Sequence, residues 1–106
     1  MGRKSVTEST IVTACLKLLT LRRVYAFRVN QIPVNGHTFR GLRGVADILG
    51  ILDDGRFLAI EVKTETGQLR PEQAAFLDAI RQRGGLSCVV RSVADLDEVL
   101  RLEMRS

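Results

Sequence analysis

Two apolar runs, residues 45–52 and 56–62, are separated by only Asp53-Asp54-Gly55. Runs of this length bounded by acidic and glycine turn residues are expected to pair as a β-hairpin. The turn then decides which side chains share a face. A two-residue Asp54-Gly55 turn would set Asp47 opposite Val62 and send Asp47 and Glu61 to opposite faces of the sheet. A three-residue loop with Gly55 in the left-handed conformation sets Asp47 opposite Glu61 instead. Opposed Cβ atoms in such a pair are about 4.5–5.5 Å apart.

That second register has a chemical consequence. Along Phe57-Leu58-Ala59-Ile60-Glu61-Val62-Lys63, Leu58, Ile60 and Val62 share one face, and Phe57, Ala59, Glu61 and Lys63 share the other. The strand starts apolar and ends with an acid and a base on one side. Asp47 likewise interrupts Val45-Ala46-Asp47-Ile48-Leu49. A buried carboxylate without a partner is costly, so these residues call for a salt bridge or a metal. Two carboxylates suit Mg²⁺ or Mn²⁺, hard cations that prefer oxygen, and the Val62 carbonyl could add another oxygen ligand. Such an ion polarises a phosphodiester and lowers the pKa of a bound water, while a lysine orients that water and offsets charge in the transition state. An ion pair of Glu61 with Lys63, with Asp47 bonded to a turn, is the bland alternative.

The flanking segments predict the rest of the fold. Ser5-Val6-Thr7-Glu8 has the form of a capping box, and Ile11, Cys15, Leu18 and Leu19 then recur at helical spacing to about Thr20. Val24 to Val29 reads as a strand. Gln31 to Gly44, with Asn35-Gly36 and three further turn-forming residues, reads as an exposed hairpin or loop carrying Arg40 and Arg43. Pro71 opens a helix with Phe76, Leu77 and Ile80 inward, ending at Gly84-Gly85. Leu86 to Arg91 is a short strand, and Ser92 caps a final helix with Leu96, Val99 and Leu100 inward. The expected order is α-β-β-β-α-β-α, a single mixed α/β domain over residues 1–106 whose β-α-β segment joins parallel strands.

Composition narrows the function. At 45% hydrophobic and 26% charged, the chain can form a core. No apolar stretch approaches the ~20 residues of a membrane span and no signal-peptide pattern opens the chain, so a cytoplasmic protein is expected. Cys15 and Cys88 are far apart in apolar contexts and His37 is the single histidine, which excludes a zinc site or a serine-type triad as the default and favours buried thiols. The net charge is +4, with Arg3, Lys4, Arg22, Arg23, Arg28, Arg40 and Arg43 in the first 43 residues. A basic part beside an acidic centre suits an enzyme that grips phosphate and binds metal.

These residues bring the chain to a family. It resembles the virus-type replication-repair nuclease (VRR-NUC) domains of the PD-(D/E)xK superfamily through Arg28-Val29-Asn30, Gly44-Val45-Ala46-Asp47-Ile48, Phe57 to Lys63, Gly67-Gln68-Leu69-Arg70-Pro71-Glu72-Gln73 and Gly84-Gly85-Leu86. Ala46 stands where the superfamily name places proline. The resemblance implies a restriction-endonuclease-like mixed sheet flanked by helices, with Asp47, Glu61 and Lys63 as the catalytic motif and Mg²⁺ or Mn²⁺ as cofactor. It matches Glu8 to the first-helix acid and Gln73 to a conventional glutamine. Glu8 lies on the stripe of Ile11, Val12 and Cys15, which could point it toward the metal, directly or through water, while the capping box explains the glutamate without chemistry. Gln73 could orient water or hold Lys63, or only cap its helix. Arg28, Asn30, Arg40 and Arg43 are the expected DNA contacts.

The expectation is a metal-dependent endonuclease, a homodimer selective for Holliday junctions or other branched DNA in phage or bacterial replication and repair. A non-catalytic DNA-binding module of the same fold is the alternative, and a protein-interaction domain would leave the paired acids unexplained.

Overall fold

The structure is a computed structural model and describes residues 6–29 and 43–104. Its elements are α1 (Glu8–Leu21), β1 (Tyr25–Arg28), β2 (Ile48–Ile51), β3 (Phe57–Val62), α2 (Pro71–Gln82), β4 (Leu86–Val90) and α3 (Val93–Glu103), in the expected order. They form one four-stranded sheet ordered β1-β2-β3-β4. The β1–β2 and β2–β3 pairs are antiparallel. The β3–β4 pair, joined through α2, is parallel.

The hairpin takes the register with the three-residue loop. Ile48 pairs with Ile60 and Leu49 with Ala59. The Leu52 N–H reaches the Arg56 carbonyl at 2.9 Å, and Gly55, at φ +90°, closes the loop by donating to the Leu52 carbonyl. Only a residue that tolerates positive φ turns the chain this tightly.

Alternation along β3 divides the core in two. Leu58, Ile60 and Val62 pack with Ile48, Leu96, Leu100 and the inner stripe of α1, which is Ile11, Val12, Cys15 and Leu19. On the other face Ala46 and Ala59 meet Leu77 of α2, with Leu49, Phe76 and Ile80 at the margin. Helices α1 and α3 thus cover one face and α2 the other. Each fully buried Leu, Ile or Val contributes about 1.5–3 kcal/mol. Cys15 is buried and Cys88 half-buried, and both are free. Burial pushes their thiols up to about 11 and about 12, which keeps them protonated packing groups.

Local details depart from the sequence expectations. Thr7, not Ser5, caps α1: its Oγ1 accepts the Thr10 N–H at 3.1 Å, so Glu8 is the first helical residue rather than the closing member of a capping box. Ser92 caps α3 as expected, accepting from Asp95 N–H. Strand β2 is shorter than the apolar run that contains it, because the ladder beyond Ile48 is interrupted by a side chain described below. Residues 30–42, which hold most of the expected exposed loop with His37, Asn35-Gly36, Asn30 and Arg40, lie outside the described residues, as does Ser5. Among the described residues, no helix is long and apolar enough to cross a membrane.

Candidate active site

Asp47 is bound on both sides. Its carbonyl accepts the Val29 N–H at 2.8 Å, continuing the β1–β2 ladder by one residue. Its Oδ2 accepts the Val62 N–H at 2.8 Å, so the carboxylate takes the place of the next rung between β2 and β3. The strand therefore ends in a side chain rather than a backbone carbonyl. In this register Asp47 and Glu61 are cross-strand neighbours on the face that carries Ala59, the face covered by α2.

Glu61 is buried, with 3% of its surface exposed, and three groups surround its carboxyl. Gln73 Nε2 donates to Oε2 at 3.0 Å, and Lys63 Nζ lies 3.6 Å from the same oxygen. Asp47, its cross-strand neighbour, is the third group and sets a second negative charge beside it. Burial first, and then the charge of Asp47, push the Glu61 carboxyl up to about 7, against the opposing attraction of Lys63. Lys63 is itself buried, held in the extended line of β3 by its N–H on the Val90 carbonyl at 3.0 Å.

The first turn of α2 supplies the third wall. Gln73 Oε1 accepts the Arg70 N–H at 2.9 Å, so this glutamine caps its helix with one end and holds Glu61 with the other. The alternatives weighed from sequence, capping and a role in the site, are met by one side chain, and its site partner is Glu61 rather than Lys63. The chain before Asp47 approaches α2 closely at Gly44, at φ +80°, where a Cβ would stand 2.2 Å from the Glu72 carbonyl oxygen. Val29, Gly44, Val45, Ala46, Asp47, Glu61, Arg70 and Gln73 line a cleft of about 190 Å³.

The structure thus brings Asp47, Glu61, Lys63 and Gln73 together. Val62 enters through its N–H to Asp47. Glu8 does not join them: it is exposed in the first turn of α1, the helix packed on the opposite face of the sheet. Among the described residues no third acid, histidine or cysteine completes a cluster with the pair. Arg28 also points to the α1 face, with Nη2 3.5 Å from Ser9 Oγ, and Arg43 is exposed beside Gly44.

The roles of three residues were not legible in the sequence. Arg70, quoted above only within a family motif, lines the cleft, but an exposed arginine before a helix carries no local signal. Gly44 stood only as a loop glycine and a motif member. Arg91 donates from Nη1 to the carbonyls of Thr64 at 2.6 Å and Gly67 at 2.8 Å, fastening the segment that follows Lys63 to the end of β4. Its partners are remote in sequence, so no spacing could reveal it.

The VRR-NUC domain family matches the chain over residues 30–94. Two solved structures are similar over nearly its whole length. One, described as a VRR_NUC domain, is 22% identical, with a TM-score of 0.65, and the match covers 89% of this chain and 94% of that one. The other, described as a VRR_NUC domain protein, is 15% identical, with a TM-score of 0.62 and coverage of 92% and 88%. At such identities they show the shared fold. No curated protein matches the chain.

Proposed function

We propose, from the premise that the chain belongs to the VRR-NUC domain family, that its nuclease-type activity is the hydrolysis of DNA phosphodiesters with Mg²⁺ or Mn²⁺ held by Asp47 and Glu61. The observation that carries this reading is the meeting of two carboxylates from adjacent strands in a polar cleft, with a buried lysine two residues along. The residues fit such an ion. Burial and the charge of Asp47 raise the Glu61 carboxyl to about 7, and a dication held between the two acids would offset that crowding of negative charge. A set of two protein carboxylates leaves room for waters and substrate phosphate, which suits Mg²⁺. The Val62 carbonyl belongs to the proposed set and Glu8 does not. When bound, the cation polarises the scissile phosphate and acidifies water.

The chain's own groups do the remainder. Val62 N–H and Gln73 fix the two carboxylates so that neither must reorganise. Lys63 places an ammonium beside Glu61, where it orients the attacking water and offsets developing negative charge. Arg70, at the mouth of the cleft, is positioned to neutralise a phosphate.

The finer reading is a cytoplasmic homodimer acting on branched DNA in phage or bacterial replication and repair, since one cleft cuts one strand and a two-fold pair cuts two. Arg43 and Arg40 are its proposed phosphate contacts. The decisive experiment incubates labelled junction, flap, nicked and linear DNAs with the wild-type chain and Glu61→Ala, in Mg²⁺, Mn²⁺ or EDTA. Cleavage needs the metal and Glu61. Activity persisting in EDTA or in Glu61→Ala overturns the reading. Equal cleavage of linear and four-way DNA by a protein that sediments only as a monomer removes the finer part.

A further inference from the structure

Helix α2 covers only half of its face of the sheet, over β3 and β4. Beside it, among the described residues, the pairing of β1, β2 and β3 sets Tyr25, Ile51 and Phe57 in one exposed row across the strands, while Leu49 and Ala59 of the next row pack under α2. Phe27, Leu49 and Ala59 form the next row, and Val29, Asp47 and Glu61 follow. Tyr25 is 75% exposed, Phe27 51%, Ile51 50% and Phe57 40%. Exposed apolar groups so grouped beside the strand that ends the sheet among the described residues invite aggregation unless something binds there.

We propose that this uncovered half-sheet is a stacking platform for unpaired single-stranded DNA leading into the Asp47–Glu61 cleft, with Tyr25 and Phe27 each receiving a base. The inference rests on the nuclease reading above and adds the form of the substrate.

Three features favour this occupant. The platform is continuous with the cleft: the same face, with the acids forming the next row. Successive rows are about 6.8 Å apart along the strands, twice the rise of stacked bases in a duplex. A splayed strand spans that step, whereas a duplex keeps its bases inside and offers no face to an aromatic ring. The residue types also match, since every base has a π-face and aromatic stacking accepts any sequence. A second copy of the chain fits poorly here. Four exposed side chains are few against the roughly 20–30 residues a side of a standard interface. Antiparallel pairing of two β1 edges would also bring the exposed Arg23 and Arg28 of one copy toward those of the other.

The chain contains one tyrosine and no tryptophan, so its intrinsic emission reports on Tyr25 alone. The full chain is titrated in EDTA with a duplex bearing a single-stranded oligo-deoxythymidine arm, and with a blunt duplex of equal paired length. Binding is followed in parallel by anisotropy of labelled DNA. The armed duplex quenches Tyr25 saturably and the blunt duplex does not. Replacing both rings, Tyr25→Leu with Phe27→Leu, weakens armed-duplex binding by roughly tenfold or more and changes blunt-duplex binding by less than about twofold. Armed DNA that saturates the protein without quenching Tyr25, or equal quenching by both DNAs, overturns the platform. So does emission that changes with protein concentration alone, in step with a dimer in sedimentation. Cleavage in Mn²⁺ without quenching leaves the nuclease reading standing and removes the platform. Quenching by the armed duplex without cleavage does the reverse.

Discussion

Gln73 donates from Nε2 to Glu61 Oε2 at 3.0 Å while its Oε1 caps α2 through the Arg70 N–H. One amide thus ties the helix start to the candidate metal ligand. Gln73→Ala is expected to cost about 1 kcal/mol of stability through the lost cap. It should also lower cleavage by about 10- to 100-fold, because Glu61 loses its orienting donor. Gln73→Glu keeps a capping oxygen but adds an anion against Glu61, so its melting temperature in EDTA should fall below that of Gln73→Ala at alkaline pH. Urea melts, thermal melts in EDTA at alkaline pH and single-turnover cleavage of the two variants check these statements.

Asp47 separates structure from chemistry in the same way. Asp47→Asn retains an oxygen for the Val62 N–H, whereas Asp47→Ala leaves that donor unsatisfied, at a cost of about 1–3 kcal/mol. Both should be inactive, and only the alanine variant should be clearly destabilised. Equal stability of the two in denaturant melts would mean that the Asp47–Val62 bond contributes nothing.

Glu61 makes the metal-free protein sensitive to pH. Its carboxyl is raised from 4.5 to about 7, mainly by burial and then by Asp47. Between those values the folded chain holds a proton that the unfolded chain has released. This contribution to stability is therefore complete below about pH 4.5 and is lost as pH rises through about 7. In EDTA the melting temperature of wild type should decline over that window relative to Glu61→Gln, which has nothing to titrate there. Mg²⁺ or Mn²⁺ should raise the wild-type melting temperature more at about pH 8 than at about pH 5.5, since the ion competes with the proton.

Two glycines at positive φ should respond differently to alanine. At Gly55 a Cβ meets nothing within 4 Å, so Gly55→Ala should cost only the left-handed backbone term, about 1–2 kcal/mol. At Gly44 the new methyl would also strike the Glu72 carbonyl at 2.2 Å, so the first turn of α2 must move. Gly44→Ala should be the less stable variant and should lose activity with Gln73 displaced, while Gly55→Ala remains active. Thermal melts and cleavage rates of the pair test the contrast.

The hairpin and its acids were legible because local chemistry and pattern agreed. Asp53-Asp54-Gly55 allows two turns, and only one of them puts Asp47 and Glu61, polar where strands should be apolar, on one face. Glu8 shows where periodicity runs out. A helical stripe says which residues point inward, but not which layer the helix joins, and α1 lies across the sheet from the acids. Its cap was misplaced by two residues because Ser5 and Thr7 offer the same hydroxyl chemistry, and only the bond to Thr10 distinguishes them. Arg91 and Gly44 act through groups that folding alone brings near, the carbonyls of Thr64 and Gly67 and that of Glu72.

The double anchoring of Asp47, by Val29 through its carbonyl and by Val62 through its side chain, bears on how a domain of this kind decays. A descendant freed from selection for catalysis would still be selected to fold, and folding alone would keep aspartate or asparagine at position 47. Glu61 receives no such protection, since its burial beside another acid burdens a chain without metal. Erosion should therefore begin at 61. An inactive relative would be recognised by the loss of that glutamate, and an intact aspartate at 47 would be poor testimony of activity.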